Sequence, residues 1–176
     1  GAYGGYTQPV NVHTSLSYAF ANLGQVDDID LSNLRATSSL TDVSYAFSGS
    51  AMKGSVKTNG TAVKLPSAGL FDLSGVTNME SMFNSCSRVE EIELSNVANN
   101  PSAYTFGNYA FSGCSNLKTL TLNNVFTSAS GTAWFMAYKN PSLTSLNLTN
   151  VLTGTPEMLY AFANNEALKQ LTLENL

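Results

Sequence analysis

The sequence predicts an α/β solenoid of about six coils, each a short helical turn followed by a strand, with the strands in one parallel sheet. Two repeated patterns lead to it. A nine-residue strand-like motif recurs as "VDDIDLSNL" (26–34), "AGLFDLSGV" (68–76), "VEEIELSNV" (89–97), "LKTLTLNNV" (117–125), "LTSLNLTNV" (143–151) and "LKQLTLENL" (168–176). A turn-like motif ending in Phe recurs ahead of it, as "LSYAF", "VSYAF", "MESMF", "GNYAF" and "MLYAF".

The strand motif has apolar residues at relative positions 1, 4, 6 and 9, except that the faint second copy opens with Ala68. Its register leucines are Leu31, Leu73, Leu94, Leu122, Leu148 and Leu173, at intervals of 42, 21, 28, 26 and 25 residues. A period in this range belongs to a solenoid, propeller or array. Most copies of the upstream motif place apolar residues at i, i+3 and i+4, one face of a helical turn. The fifth unit is irregular: "AWFMAYKNPSL" puts Ala137 in the Phe slot, with Trp134 and Phe135 displaced upstream. One such unit cannot bury its apolar face, but stacked units can. The expected organisation is an N-terminal segment or cap over 1–15 and a solenoid over 16–176, with an insertion at about 48–67.

Two positions after each register leucine stand Asn33, Asn96, Asn124, Asn150 and Asn175, with Gly75 the one departure. An amide carries both donor and acceptor, so it suits a strand end that turns inward and leaves main-chain groups unpaired. Stacked copies predict a structural asparagine ladder. Cys86 and Cys114 share one slot, three residues after Phe83 and Phe111. Stacking at ~4.8 Å brings them within reach of a disulfide, while a packed slot favours two buried thiols.

Together these residues resemble the BspA-type leucine-rich repeats of bacterial surface and secreted proteins. "YAFSGCSNLKTLTL" is similar to that family's Phe–Cys–Leu–Leu/Ile–Leu pattern, and "VTNMESMFNSCSRVEEIELSNV" to a related surface-repeat variant with a Met-Phe head. The resemblance covers about residues 16–176. It implies a right-handed leucine-rich-repeat superhelix and a role in surface display, adhesion or protein interaction. It supplies no catalytic residues.

Composition agrees with an extracellular or cell-surface address. Only 11% of residues are charged, against a usual ~25%. The net charge of −4 argues against nucleic acid as a partner. No apolar run approaches the ~18 residues of a membrane span. Two cysteines and the remote His13 make a poor metal site, so neither metal nor cofactor is expected. No nucleophile, base and orienting group converge, which leaves an enzyme improbable.

Binding is expected on the outward strand face. Ahead of the register leucines stand Asp30, Asp72, Glu93, Thr121, Asn147 and Thr172; two positions earlier stand Asp28, Leu70, Glu91, Thr119, Ser145 and Gln170. The first three coils would thus carry a stacked acidic patch, either a solvated face or a site for a basic partner or Ca²⁺. The insertion supplies Lys53, Lys57 and Lys64, as a rim loop at a binding face or a hairpin around "TNGT". Trp134 is read as filling a core gap or as an exposed binding aromatic. The leading expectation is a bacterial surface or secreted adhesin that binds a protein or a surface glycan. The alternative is a non-binding structural spacer of a larger surface protein. The last motif ends at Leu176 with no polar capping unit. Its apolar end and open strand edge therefore predict a covering domain or end-to-end self-association.

Overall fold

The computed structural model describes residues 10–12, 14–29, 34–36, 39–59, 62–64 and 70–176. Nine strands are defined among them: β1 (Val10–Val12), β2 (Leu34–Ala36), β3 (Gly54–Asn59), β4 (Ala62–Lys64), β5 (Leu70–Asp72), β6 (Val89–Val97), β7 (Thr119–Val125), β8 (Ser145–Val151) and β9 (Gln170–Glu174). β1 and β2 form a parallel pair; the other seven make one sheet in the order β5-β4-β3-β6-β7-β8-β9. From β3 through β6, β7 and β8 to β9 every pairing is parallel. The chain therefore climbs as a β-solenoid, and β6 to β9 span about three turns of it.

Alternation decides which side chains enter the core. Leu120 and Leu122 of β7 are buried, as are Leu146 and Leu148 of β8, and Leu94, Leu122, Leu148 and Leu173 stand in one row of the register. Behind the sheet the Phe slots stack directly: Phe20–Phe47, Phe47–Phe83 and Phe83–Phe111 have ring centroids 5.4, 5.7 and 6.0 Å apart. Ala137 ends that run, buried one coil above Phe111, whose N–H donates to the Met136 carbonyl.

The expected short helical turns are not there: no helix occurs among the described residues. The Phe motifs are instead stacked turns whose N–H groups alternate between two kinds of partner. The Ala46 and Ser48 N–H groups donate locally, to the Val43 and Tyr45 carbonyls. Those of Val43, Tyr45, Phe47 and Gly49 donate to Asn78, Glu80, Met82 and Asn84 of the next coil. The same four-bond junction joins six successive turn segments. A positive φ at every fourth residue permits it, as at Tyr45 (59°) with Gly49 (71°) and Tyr109 (56°) with Gly113 (70°). An α-helix would use those N–H groups within the segment; here they tie one coil to the next.

The second unit also differs from expectation. "AGLFDLSGV" does not add a strand beside β6. Its β5 pairs antiparallel with β4, which pairs antiparallel with β3, and β3 takes the place next to β6. The insertion is thus a hairpin whose first strand belongs to the main sheet, while Leu73 is still fully buried. Of the 1–15 segment, β1 and residues 14–15 are described; residues 1–9 and 13 lie outside the described residues.

At the strand ends the asparagine amides bond to one another. Asn124 Nδ2 donates to Asn96 Oδ1, Asn150 Nδ2 to Asn124 Oδ1, and Asn175 Nδ2 to Asn150 Oδ1, each at 2.8 Å. Asn33 lies outside the described residues. Main-chain groups are not the partners in these contacts. The slot needs Asn for a second reason: φ is 58°, 57°, 53° and 54° at Asn96, Asn124, Asn150 and Asn175, the left-handed region that Asn tolerates better than other residues with a Cβ. Asn124→Ala should therefore cost about 1–3 kcal/mol, from two lost amide bonds and the left-handed backbone. Asn124→Gly, which relieves the backbone alone, should cost less in urea denaturation; equal losses would remove the backbone part of this account.

Candidate interaction surface

The outward face of the sheet is a set of polar rows in strict register. One row runs Ser55, Glu91, Thr119, Ser145, Gln170 and the next Lys57, Glu93, Thr121, Asn147, Thr172. Neighbouring strands place these side chains ~4.8 Å apart, so the face presents evenly spaced hydroxyls, amides and a short charged end.

At that charged end the stacked acidic patch does not form. β4 and β3 separate the strand of Asp72 from that of Glu93. The neighbour of Glu93 is Lys57, whose Nζ lies 3.2 Å from Glu91 Oε1 and 3.9 Å from Glu93 Oε2, and Ser55 Oγ also donates to Glu91 Oε2 at 3.3 Å. The insertion thus brings Lys57 against Glu91 and Glu93. Asp30 lies outside the described residues. Lys64 faces Lys57 across the β3–β4 register through main-chain pairing. Asp28 is exposed, and its neighbour Asp27 is the acid that pairs: its Oδ1 is 2.7 Å from Arg88 Nη2 and 3.3 Å from Lys53 Nζ. These two cations hold the Asp27 carboxyl below its ordinary value, hydrogen bonds from Lys53 and then Arg88 being the main causes. Arg88, absent from the sequence reading, also ties coils together by donating to the Ala51 and Val26 carbonyls at 2.8 and 2.9 Å. Among the described residues no group of three His, Cys, Asp or Glu side chains is placed to hold a metal ion. No helix among them is long and apolar enough to cross a membrane.

One further column escaped the sequence reading, and another extends the slot it assigned to Cys86 and Cys114. Two residues before the Phe slot runs a surface aromatic column. Tyr18 stacks on Tyr45 at 4.5 Å, and Phe135 stacks between Tyr109 at 5.1 Å and Tyr160 at 5.4 Å; Ser81 interrupts the series. Phe135 takes this slot, while Trp134 is half-buried beside it. Counting back from each Phe would have revealed the column. Three residues after the Phe slot, Cys86, Cys114, Asn140 and Asn165 share one buried position. Both cysteines are free thiols. Cys86 Sγ donates to the Phe47 carbonyl and Cys114 Sγ to the Phe83 carbonyl, each at 3.2 Å. Asn165 Nδ2 does the same for Ala137 at 2.7 Å. At 86, 114 and 165 the slot is a donor position that ties a coil to the one before, and a thiol or an amide serves it; at Asn140 the amide oxygen instead accepts from the Cys114 N–H at 2.9 Å.

Burial pushes the Cys114 thiol from 9.0 up to about 12, and burial with the nearby Cys114 pushes Cys86 well above its ordinary value. A thiol with a raised folded pKa stays neutral at pH 7 and is a poor nucleophile. The unfolded chain loses these protons first as the pH rises. Their contribution to stability is therefore complete below about pH 9 and is lost progressively toward pH 12. A thiol reagent at pH 8 should leave the folded chain unmodified and label both cysteines after unfolding. The double Cys→Ser variant should show a shallower alkaline loss of melting temperature than the parent; an unchanged slope would discount the thiols.

A family model described as "BspA type Leucine rich repeat region" matches residues 77–176, in six copies. No curated protein and no solved structure matches the chain.

Proposed function

Since the chain belongs to the BspA type leucine rich repeat family, we propose that it is a non-catalytic interaction module of a bacterial surface or secreted protein. This reading takes the six turn segments as coils of one right-handed solenoid. The binding element is the outward sheet face, and the partner is a protein or a surface glycan, as for an adhesin. One observation carries the reading: the parallel register sets two polar rows flush across five strands. A face built from Thr, Ser, Asn and Gln at fixed spacing offers donors and acceptors at a low desolvation cost compared with charged groups.

The Lys57–Glu91–Glu93 cluster at one end of the face contributes orientation more than affinity, because exposed ion pairs are worth only ~0–1 kcal/mol. Asp28, Asp30, Asp72, Lys53 and Lys64 stand toward that end of the chain and belong to the same proposal as a charged flank. Screening the chain on a glycan array and an array of extracellular proteins supplies the ligand. Against that ligand, Thr121→Lys with Asn147→Lys should weaken binding at least tenfold, because both positions lie mid-face. Glu91→Lys with Glu93→Lys should act chiefly on the salt dependence. If neither pair alters binding, the sheet face is not the contact. If neither array yields a ligand, the spacer reading takes its place.

A further inference from the structure

One ring lies flat along the side of the aromatic column. Phe135 has both faces taken, by Tyr109 at 5.1 Å and Tyr160 at 5.4 Å. Tyr138 therefore meets its edge, with ring centroids 5.0 Å apart and planes at 75°. It meets Tyr160 in a similar way, at 6.5 Å and 68°. At these angles the inner face of Tyr138 rests on ring edges, an edge-to-face contact, and its outer face turns away from the column. Lys139 Nζ stands over the ring, 5.2 Å from its centroid.

A cleft of about 400 Å³ opens beside this ring, lined by Lys139, Pro141, Asn164 and Glu166. The Lys139 N–H donates to the Ala163 carbonyl as the Phe135 N–H does to that of Leu159. Positions 139 and 164 are therefore one slot of successive coils, and 141 and 166 another. The cleft thus runs along the side of the stack and not across an end. Asn164 Nδ2 donates to the Tyr138 hydroxyl at 3.2 Å and joins the cleft to the ring. Lys139 and Glu166 are exposed, and neither forms an ion pair among the described residues.

We propose that this cleft is a second binding site, separate from the sheet face, and that it takes a neutral pyranose residue of a glycan. The sugar lies with its C–H face on Tyr138 and its hydroxyls toward Asn164, Glu166 and Lys139. Two features select this class of ligand. The face of an aromatic ring carries negative π-density, which the weakly positive C–H groups of a pyranose complement. The rim balances one ammonium against one carboxylate, so a cationic ligand meets Lys139 and an anionic one meets Glu166. A neutral sugar meets neither penalty. Its hydroxyls, each both donor and acceptor, use the ammonium as donor, the carboxylate as acceptor and the Asn164 amide as either. Lys139 leaves the ring to do so, which its long, flexible stem allows.

Saturation-transfer difference NMR tests this with the methyl glycosides of glucose, galactose, mannose and N-acetylglucosamine, and with those of glucosamine and glucuronate as charged counterparts. At least one neutral glycoside should receive saturation from the parent chain, strongest at the C–H protons of one ring face. Tyr138→Ala should weaken its binding about tenfold or more, and Tyr138→Phe, which keeps the ring, should retain most of it. Glu166→Gln removes the carboxylate and should improve binding of the glucuronate glycoside. Circular dichroism melts establish that the variants are folded. If Tyr138→Ala melts early, the exposed pair Asn164→Ala with Glu166→Ala removes the polar rim in its place and should lose binding to a similar extent. No transfer to any of the four neutral glycosides overturns the proposal. So does a parent chain that prefers either charged counterpart. A sugar that binds folded Tyr138→Ala as tightly as the parent lies elsewhere on the molecule, and that result overturns it too.

Discussion

Phe83→Ala is expected to destabilise the chain by about 3–5 kcal/mol, the usual cost of removing a fully buried phenyl ring. Phe83 has a second reason to sit at the top of that range. Its ring is stacked on both sides, 5.7 Å from Phe47 and 6.0 Å from Phe111, and aromatic pairs add ~0.5–1.5 kcal/mol beyond area burial. The surrounding coils are tied at fixed spacing by their four-bond junctions, so they cannot collapse into the void. Phe83→Leu retains most of the volume and loses the ring stacking, so it should cost much less. Chemical denaturation of the two variants separates the terms. A Phe83→Ala loss below about 1.5 kcal/mol would mean that the stack relaxes freely, against the close packing argued for it.

Asn165→Leu should cost a similar amount for a different reason. The substitution roughly keeps volume and gains apolar character, yet it strands three main-chain groups. Asn165 Nδ2 serves the Ala137 and Phe162 carbonyls at 2.7 and 2.9 Å, and its Oδ1 accepts from the Asn140 N–H at 3.0 Å. Each buried group left unpaired costs ~1–3 kcal/mol, so a total loss of about 3–4 kcal/mol is expected. Asn165→Cys gives the control. In the same slot Cys86 and Cys114 donate to the preceding coil, so a thiol at 165 should recover part of the loss while Leu recovers none. Thermal melts of Leu and Cys variants that coincide would show that the donor at this slot contributes nothing.

These two columns were not equally legible. Phe83 and Phe111 were marked in the sequence as a repeated slot. The donor role of the slot three residues later was not, because Cys and Asn look unrelated until stacking shows both reaching the same kind of carbonyl. The aromatic column was missed for a similar reason: Tyr18, Tyr45, Tyr109, Phe135 and Tyr160 recur at one offset, but Ser81 breaks the series, and a ring at that offset reads as part of an amphipathic turn.

Apolar periodicity by itself determined the solenoid. Alternate leucines with a repeat of about 28 residues have only one way to be buried, which is by stacking, and that set the inward rows of β6, β7, β8 and β9. Tertiary structure decided everything that depends on which coil a polar group meets. Apolar residues at i, i+3 and i+4 fit both an α-helix and a stacked turn with local i→i−3 bonds, and the choice fell to the N–H groups, which found carbonyls in the next coil instead of the same segment. The place of β3 beside β6 was decided in the same way, since a hairpin strand with Val56 facing inward satisfies the sheet edge as well as the "LFDL" copy would. With β3 came Lys57, and with it the pairing of Glu91 and Glu93. Burial is written in a residue's own side chain and repeats with the chain, whereas hydrogen bonds and ion pairs depend on a partner that only the folded geometry selects.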